Sequence, residues 1–182
     1  MAVNWTKELT DQLGFHWQVH TRPKLDGLTD AEYLWEPAEG CWTVRPRRSG
    51  DEPGTGPFTI DWAYPEPSPP PVTTIAWRLA HLLVGVLGAR IASHFGGAPI
   101  GYDTYAYPGT AAEALTQLDD LYAQWIAGVQ SLDEEALARP CGPAEGPYAE
   151  YPMATLVLHI NREMIHHCAE VLLLRDLYRN RS

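Results

Sequence analysis

The sequence predicts an all-α protein, a four-helix bundle with a long first crossover loop and short helical insertions. Three observations predict it. Four stretches repeat apolar residues three and four apart, which is the spacing of one helix face. Capping signals of the Ser/Thr-x-x-Glu kind precede helical segments. No stretch alternates apolar and polar residues as a half-buried strand does, so no strand is expected. The 182 residues fit one domain, 1–182, long enough to bury a real core.

Asn4 is a plausible cap for a first helix over Trp5 to His20, with Leu9, Leu13 and Trp17 on one side and Pro23 as its end. His16 and His20 form an i,i+4 pair at the end of that helix, a second possible metal face, though cap or surface histidines are the simpler reading. Thr29-Asp30-Ala31-Glu32 is a capping box that opens a short helical turn to about Trp35. Residues 38–71 are rich in Gly, Pro and charge, and no regular element is expected there. That loop carries Trp42, Phe58, Trp62 and Tyr64, so it is expected to pack down across the bundle as a partial lid. Thr73 or Thr74 caps a second helix to about His94, with Leu79, Leu82, Leu83, Val84, Val86, Leu87 and Ile91 nearly continuous and Gly96-Gly97 as the stop. A loop over 101–109 with Tyr102, Tyr105 and Tyr107 follows. Thr110 to Glu113 is a second capping box at the head of the third helix, and Ser131 to Glu134 a third, starting a short helix to about Ala138. After a Gly- and Pro-rich loop, Pro152 is placed as the first residue of the last helix, which runs to about Tyr178.

Composition narrows the function. Thirteen Lys and Arg against 23 Asp and Glu give a formal net charge of −10, a surface that repels phosphate backbones, so nucleic-acid binding is not expected. The basic residues at 45–48 and in the tail read as local salt-bridge partners or carboxylate binders. Cys41, Cys141 and Cys168 are odd in number and far apart, which is neither a disulfide framework nor a thiolate zinc knuckle. The N-terminus lacks an apolar signal core and the uncharged run 82–89 is too short to span a bilayer, so a cytoplasmic protein without a membrane partner is expected. The aromatic set, seven Trp and nine Tyr against three Phe, suits pocket walls and core alike.

The last helix carries the functional suspect. His159, Glu163, His166, His167 and Glu170 fall within twelve residues, and His159, Glu163 and His167 lie one turn apart on one face. Leu156, Ile160, Met164, Val171, Leu172 and Leu174 leave that helix too little polar surface to be fully solvated. Buried imidazoles and carboxylates need hydrogen bonds, ion pairs or a metal, whereas on an exposed face the same spacing is only a weak surface pair. His81 lies in the middle of the apolar second helix, one turn along from Trp77 and near Arg78. Bundles build metal sites from inward side chains of different helices, and His81 with Glu163 and His167 would be a His₂Glu set with open positions, as in catalytic zinc sites. Nickel or iron(II) would accept the same ligands.

The chain resembles the DinB-like family of four-helix metalloproteins, in particular its actinobacterial branch, related to the N-terminal domain of mycothiol-dependent maleylpyruvate isomerase. The resemblance rests on 74–81 (Thr-Ile-Ala-Trp-Arg-Leu-Ala-His), on 162–170 (Arg-Glu-Met-Ile-His-His-Cys-Ala-Glu) and on 174–178, with Trp35-Glu36-Pro37 and Cys41-Trp42-Thr43-Val44 similar to the family's first loop. Residues 95–150 match by helix pattern alone. The resemblance implies a divalent metal, zinc first, held by one His of the second helix and two ligands four apart on the last: here His81, Glu163 and His167, with Glu where many members carry His. It makes His166 and His159 candidates for supporting the ligands from behind or for meeting the substrate. It further implies a low-molecular-weight thiol cosubstrate such as mycothiol, bacillithiol or glutathione, a small electrophile as its partner, and a homodimer.

On that reading Arg78 and Arg162 would bind a carboxylate of thiol or substrate, or else pair internally with Glu170 or Asp176, and Trp77 would stand beside the substrate. The chain is too short to hold the isomerase's additional C-terminal domain, so a thiol S-transferase or isomerase-like activity is expected in place of that particular isomerisation. The rival reading is a non-catalytic dimeric bundle whose His and Glu residues form a structural metal clip or a buried hydrogen-bond network.

Overall fold

The side chain of Asn4 accepts a hydrogen bond from the Lys7 amide (3.0 Å) and starts helix α1, Trp5–Phe15, in a computed structural model that describes residues 3–181. Residues 1–2 and 182 of the expected domain lie outside the described residues. Pro23 does not end this helix. The chain passes through a π-helical stretch, His16–Thr21, into a last turn, Arg22–Leu25, where Pro23 occupies the first positions and its missing amide breaks no ladder. His16 and His20 sit in that stretch with ring centroids 5.9 Å apart, and His16 Nδ1 is engaged by the Thr21 hydroxyl at 3.0 Å.

Thr29 and Glu32 form the reciprocal capping box of helix α2, Asp30–Tyr33. The loop that follows contains a hairpin that its composition hides. Strand β1, Val44–Pro46, pairs antiparallel with β2, Phe58–Ile60, in the register Val44 to Ile60. Three residues per strand are too few to show an alternating pattern, which is why an absence of strands was expected. Between the strands the backbone wraps around Arg47, whose guanidinium donates to the carbonyls of Glu52 and Gly54. Trp42 and Phe58 pack against the body of the protein, as expected of the loop, but Trp62 and Tyr64 are 59% and 87% exposed.

Thr74, not Thr73, caps helix α3, which spans Ile75–Phe95 as an α-turn segment to His81, a π-helical segment Leu82–Gly88 and a final α-segment from Ala89. Gly96 closes it at φ 75°, a left-handed conformation that a side chain would strain. By length and composition this 21-residue helix could cross a membrane, with a mean hydropathy of 1.4. Its apolarity is also what burial on most sides requires, and Leu79, Leu82, Leu83 and Leu87 are all fully enclosed.

Helix α4, Ala111–Gln130, is capped by Thr110, although Glu113 reaches back to the Gly109 amide and leaves the expected box half made. Asp133 caps α5, Glu134–Ala138, where Ser131 was expected, because Ser131 instead ends α4 by bonding the Gly128 carbonyl. Pro152 stands one position ahead of its expected place, as the cap residue before α6, Met153–Arg179. The long helices α1, α3, α4 and α6 pack as a bundle, α1 and α3 each touching both α4 and α6. Trp125, Leu13, Leu118, Ile160 and Met164 fill the centre.

One buried ion pair ties the end of α6 to the start of the first crossover. Arg175 Nε donates to Glu32 Oε1 at 3.0 Å, and its other nitrogens bond the carbonyls of Lys24 and Asp26. Arg179 adds a second donor to the same Glu32 oxygen at 2.9 Å, and the Thr29 amide holds the other oxygen. Burial alone would raise the Glu32 pKa, but the Thr29 bonds and the two guanidinium groups hold it down at about 2. A carboxylate depressed from 4.5 contributes stability that is present above that pH and is lost as the pH falls toward 2. Glu32→Gln should therefore cost about 3 kcal/mol at neutral pH in urea denaturation, by leaving Arg175 buried and uncompensated. The cost should shrink steadily in the same titration below pH 4.5.

Candidate metal centre

His81 leaves α3 at the last residue before the π-helical segment and faces α6, which returns alongside it. There the His81 and His167 rings meet edge to face, centroids 4.8 Å apart and planes at 90°. Two residues from different helices, expected to share a site, are adjacent. His167 is 8% exposed, and its Nε2 faces Glu163 Oε2 at 3.5 Å across one helical turn. His167 therefore adjoins both of the other expected ligands between α3 and α6, while His81 and Glu163 make no direct ion-pair contact.

Both imidazoles are held at Nδ1. His167 Nδ1 pairs with Glu170 Oε2 at 2.6 Å, and His81 Nδ1 with the Tyr102 hydroxyl at 2.8 Å. Glu170 is held in turn by Arg78, whose Nε lies 3.2 Å from the same oxygen. A carboxylate behind a histidine fixes the tautomer and ring plane and leaves the Nε2 lone pair to a metal, and a hydroxyl, which can donate or accept, fixes the ring plane. The donor chemistry therefore fits a divalent ion: two Nε2 atoms and a carboxylate, each outer nitrogen already partnered.

A second grouping shares His167. Donor atoms of His166, His167 and Glu170 all lie within 4.8 Å of one another. Within it Glu170 is already bonded to His167 Nδ1, and the His166 side chain is 63% exposed. The His81 side is the more enclosed of the two.

The other expected residues divide. Trp77 stacks on His81 with centroids 5.6 Å apart and planes at 14°, is backed by Trp42 at 5.9 Å, and donates from Nε1 to the Asp61 carbonyl at 2.8 Å. Through Trp42 and Asp61 the first crossover loop walls one side of His81. Arg78 is taken up by Glu170 and lies over the Trp77 ring, so it is a support of His167. Arg162 and His159 pair with each other at 2.6 Å on the outer side of Glu163, with Arg162 reaching that carboxylate at 3.6 Å. Cys168 is buried, and burial pushes its thiol up to about 12.

Tyr102 and the positioning role of Glu170 are what sequence spacing missed. Tyr102 comes from the 101–109 loop, where three tyrosines gave no reason to choose one; Glu170, seven residues past Glu163, fell outside the i,i+4 stripe.

Burial first, and then the neighbouring His167 and Arg78, lower His81 to about 4 against the pull of Glu163 and Glu170. The ring is therefore neutral and able to ligate throughout the physiological range. In the metal-free protein the unfolded chain takes up a proton near 6.5 that folded His81 refuses until about 4, so stability falls as the pH drops across that window. His81→Phe, which keeps a ring against Trp77, should flatten the 4 to 6.5 limb of stability against pH in urea melts. An unchanged limb would place the shift elsewhere.

The profile of the DinB superfamily matches residues 12–171, a span that includes α3, the whole of 162–170 and both sides of the His81–His167 contact. No curated protein and no solved structure matches the chain. With that profile covering most of its length, the chain belongs to the DinB superfamily.

Proposed function

We propose that the protein binds one divalent metal, zinc first with nickel or iron(II) as alternatives, through His81, Glu163 and His167, and uses it to add a low-molecular-weight thiol to a small electrophile. The observation that carries the reading is that both imidazoles are engaged at Nδ1, by Tyr102 and by Glu170, with His167 Nε2 turned to Glu163. A metal at such a site lowers the pKa of a thiol and so supplies thiolate at neutral pH.

The chain's own residues supply the rest. Trp77 and Trp42 shield the His81 side from water, and Tyr102 covers its Nδ1 edge. Arg162, with a side chain 70% exposed, is placed to meet a carboxylate arriving over Glu163, the task Arg78 cannot share while it holds Glu170. His159 and His166 border the same approach. Mycothiol is the first thiol in this reading, by the resemblance of 162–170 to the isomerase branch. The proposal extends to a cytoplasmic homodimer, for which exposed apolar side chains such as Trp5, Leu158 and Leu177 offer surface, and a net charge of −10 disfavours nucleic acid as a partner.

A second reading, a non-catalytic bundle with a metal clip or a closed polar network, is favoured by one observation: Arg78, Glu170, His167 and Glu163 already satisfy one another without an ion.

Elemental analysis of untagged protein separates the alternatives. About one metal per chain is expected in the wild type and in His166→Ala, falling to a few per cent of that in His81→Ala and His167→Ala. Metal retained in His81→Ala and lost in His166→Ala would move the ion to the outer cluster. Loaded protein should also accelerate conjugation of mycothiol or glutathione to chlorodinitrobenzene, followed by absorbance, and lose the acceleration on chelation. Full metal with no turnover of any thiol would favour the clip.

A further inference from the structure

We infer that Tyr102 is a positioning residue for His81, fixing the imidazole with its proton on Nδ1 and its lone pair on Nε2, and that Gly85 is the gap through which the tyrosine reaches it. The positioning stands on the geometry below; its consequence for a metal rests on the reading proposed above.

The first observation is the contact itself, His81 Nδ1 to Tyr102 Oη at 2.8 Å, made across twenty residues of sequence. The second is the space it needs. A Cβ at Gly85 would stand 2.4 Å from that hydroxyl, closer than real side chains come, and a tight 3.2 Å from His81 Nδ1, so a side chain there would displace the tyrosine's tip. Gly85 lies in the π-helical segment that begins immediately after His81, and the widened turn there presents it toward the loop. A third observation is that the loop is seated on this segment at a further point. At Gly88 a Cβ would stand 2.9 Å from Ile100 Cδ1, so the chain just ahead of Tyr102 also docks against a missing side chain.

Both partners are then locked from behind. Arg90 Nη1 donates to the Gly85 carbonyl at 2.8 Å, and Tyr107, 2% exposed, donates its hydroxyl to the Tyr102 carbonyl at 2.7 Å. Trp77 stacked on the face of His81 fixes the ring plane, and the Tyr102 contact picks out its Nδ1 edge. A hydroxyl can donate to Nδ1 or accept from it, and in the assigned arrangement the Tyr102 oxygen accepts, which leaves the lone pair on Nε2. A histidine held this way offers Nε2 as a ligand without first moving a proton.

Long-range ¹H–¹⁵N correlation of the imidazole nitrogens in metal-free protein reads the tautomer directly. Wild type should show His81 as the Nδ1–H form. Tyr102→Phe, which keeps the ring and its packing, and Gly85→Ala, which keeps the hydroxyl but blocks its approach, should both shift His81 to the Nε2–H form or to a mixture. Tyr105→Phe, in the same loop but bonded to Gln117, should leave it unchanged. Zinc affinity from chelator competition should fall about 10- to 100-fold in the first two variants and not in the third.

An Nε2–H form in wild type, or a wild-type tautomer and affinity in Tyr102→Phe, would overturn the positioning and leave the metal reading standing. Wild-type protein that holds the Nδ1–H form but takes no zinc would remove the metal reading and leave the positioning standing. Should Gly85→Ala fail to fold, Tyr102→Phe decides the matter alone.

Discussion

The edge-to-face meeting of His81 and His167 constrains most of what surrounds it. Two imidazoles sit between helices whose neighbouring residues are Leu79, Leu82, Val171 and Met164, all fully enclosed, and polar groups in such a place must find partners within reach. The chain answers from three directions. Glu163 and Glu170 come from the same helix as His167, Tyr102 from a loop laid against α3, and Arg78 from α3 itself, placed to hold Glu170. Removing Tyr102 or Glu170 takes from His81 or His167 the partner of its Nδ1, a cost of about 1–3 kcal/mol that the apolar remainder of the interface cannot offset.

The irregularities of the fold serve the same contact. A regular α-helix through 82–88 would not widen where the Tyr102 loop is seated, and side chains at Gly85 and Gly88 would lift that loop away. The first crossover contributes by contact, through Trp42 and the Asp61 carbonyl against Trp77, while its tip, with Trp62 and Tyr64, stays outside. At the far end of α6 the Glu32–Arg175–Arg179 knot anchors the helix that carries Glu163, His167 and Glu170.

Local signals were legible where they act locally. Asn4, Thr29, Thr74 and Thr110 cap the helices their spacing announces, and the apolar stripe of α3 declares its burial. What escaped depended on distant partners. Pro23 looks like a terminator unless the π-helical stretch ahead of it is known, three-residue strands carry no period, and Ser131 and Asp133 compete for one cap that only the end of α4 decides. His81, Glu163 and His167 could be proposed as a set from helix spacing together with the family resemblance. Tyr102 could not, because nothing near it in sequence marks it from Tyr105 and Tyr107; only the gap at Gly85, seventeen residues earlier, does so.

The proposed divalent ion would lie between α3 and α6, on the Nε2 side of His167. Anomalous diffraction across the zinc edge, from crystals grown with stoichiometric zinc, tests it most directly. One strong peak bounded by His81, Glu163 and His167 is expected. A peak among His166, Glu170 and the Nδ1 side of His167, or none at full zinc loading of the crystals, would contradict it.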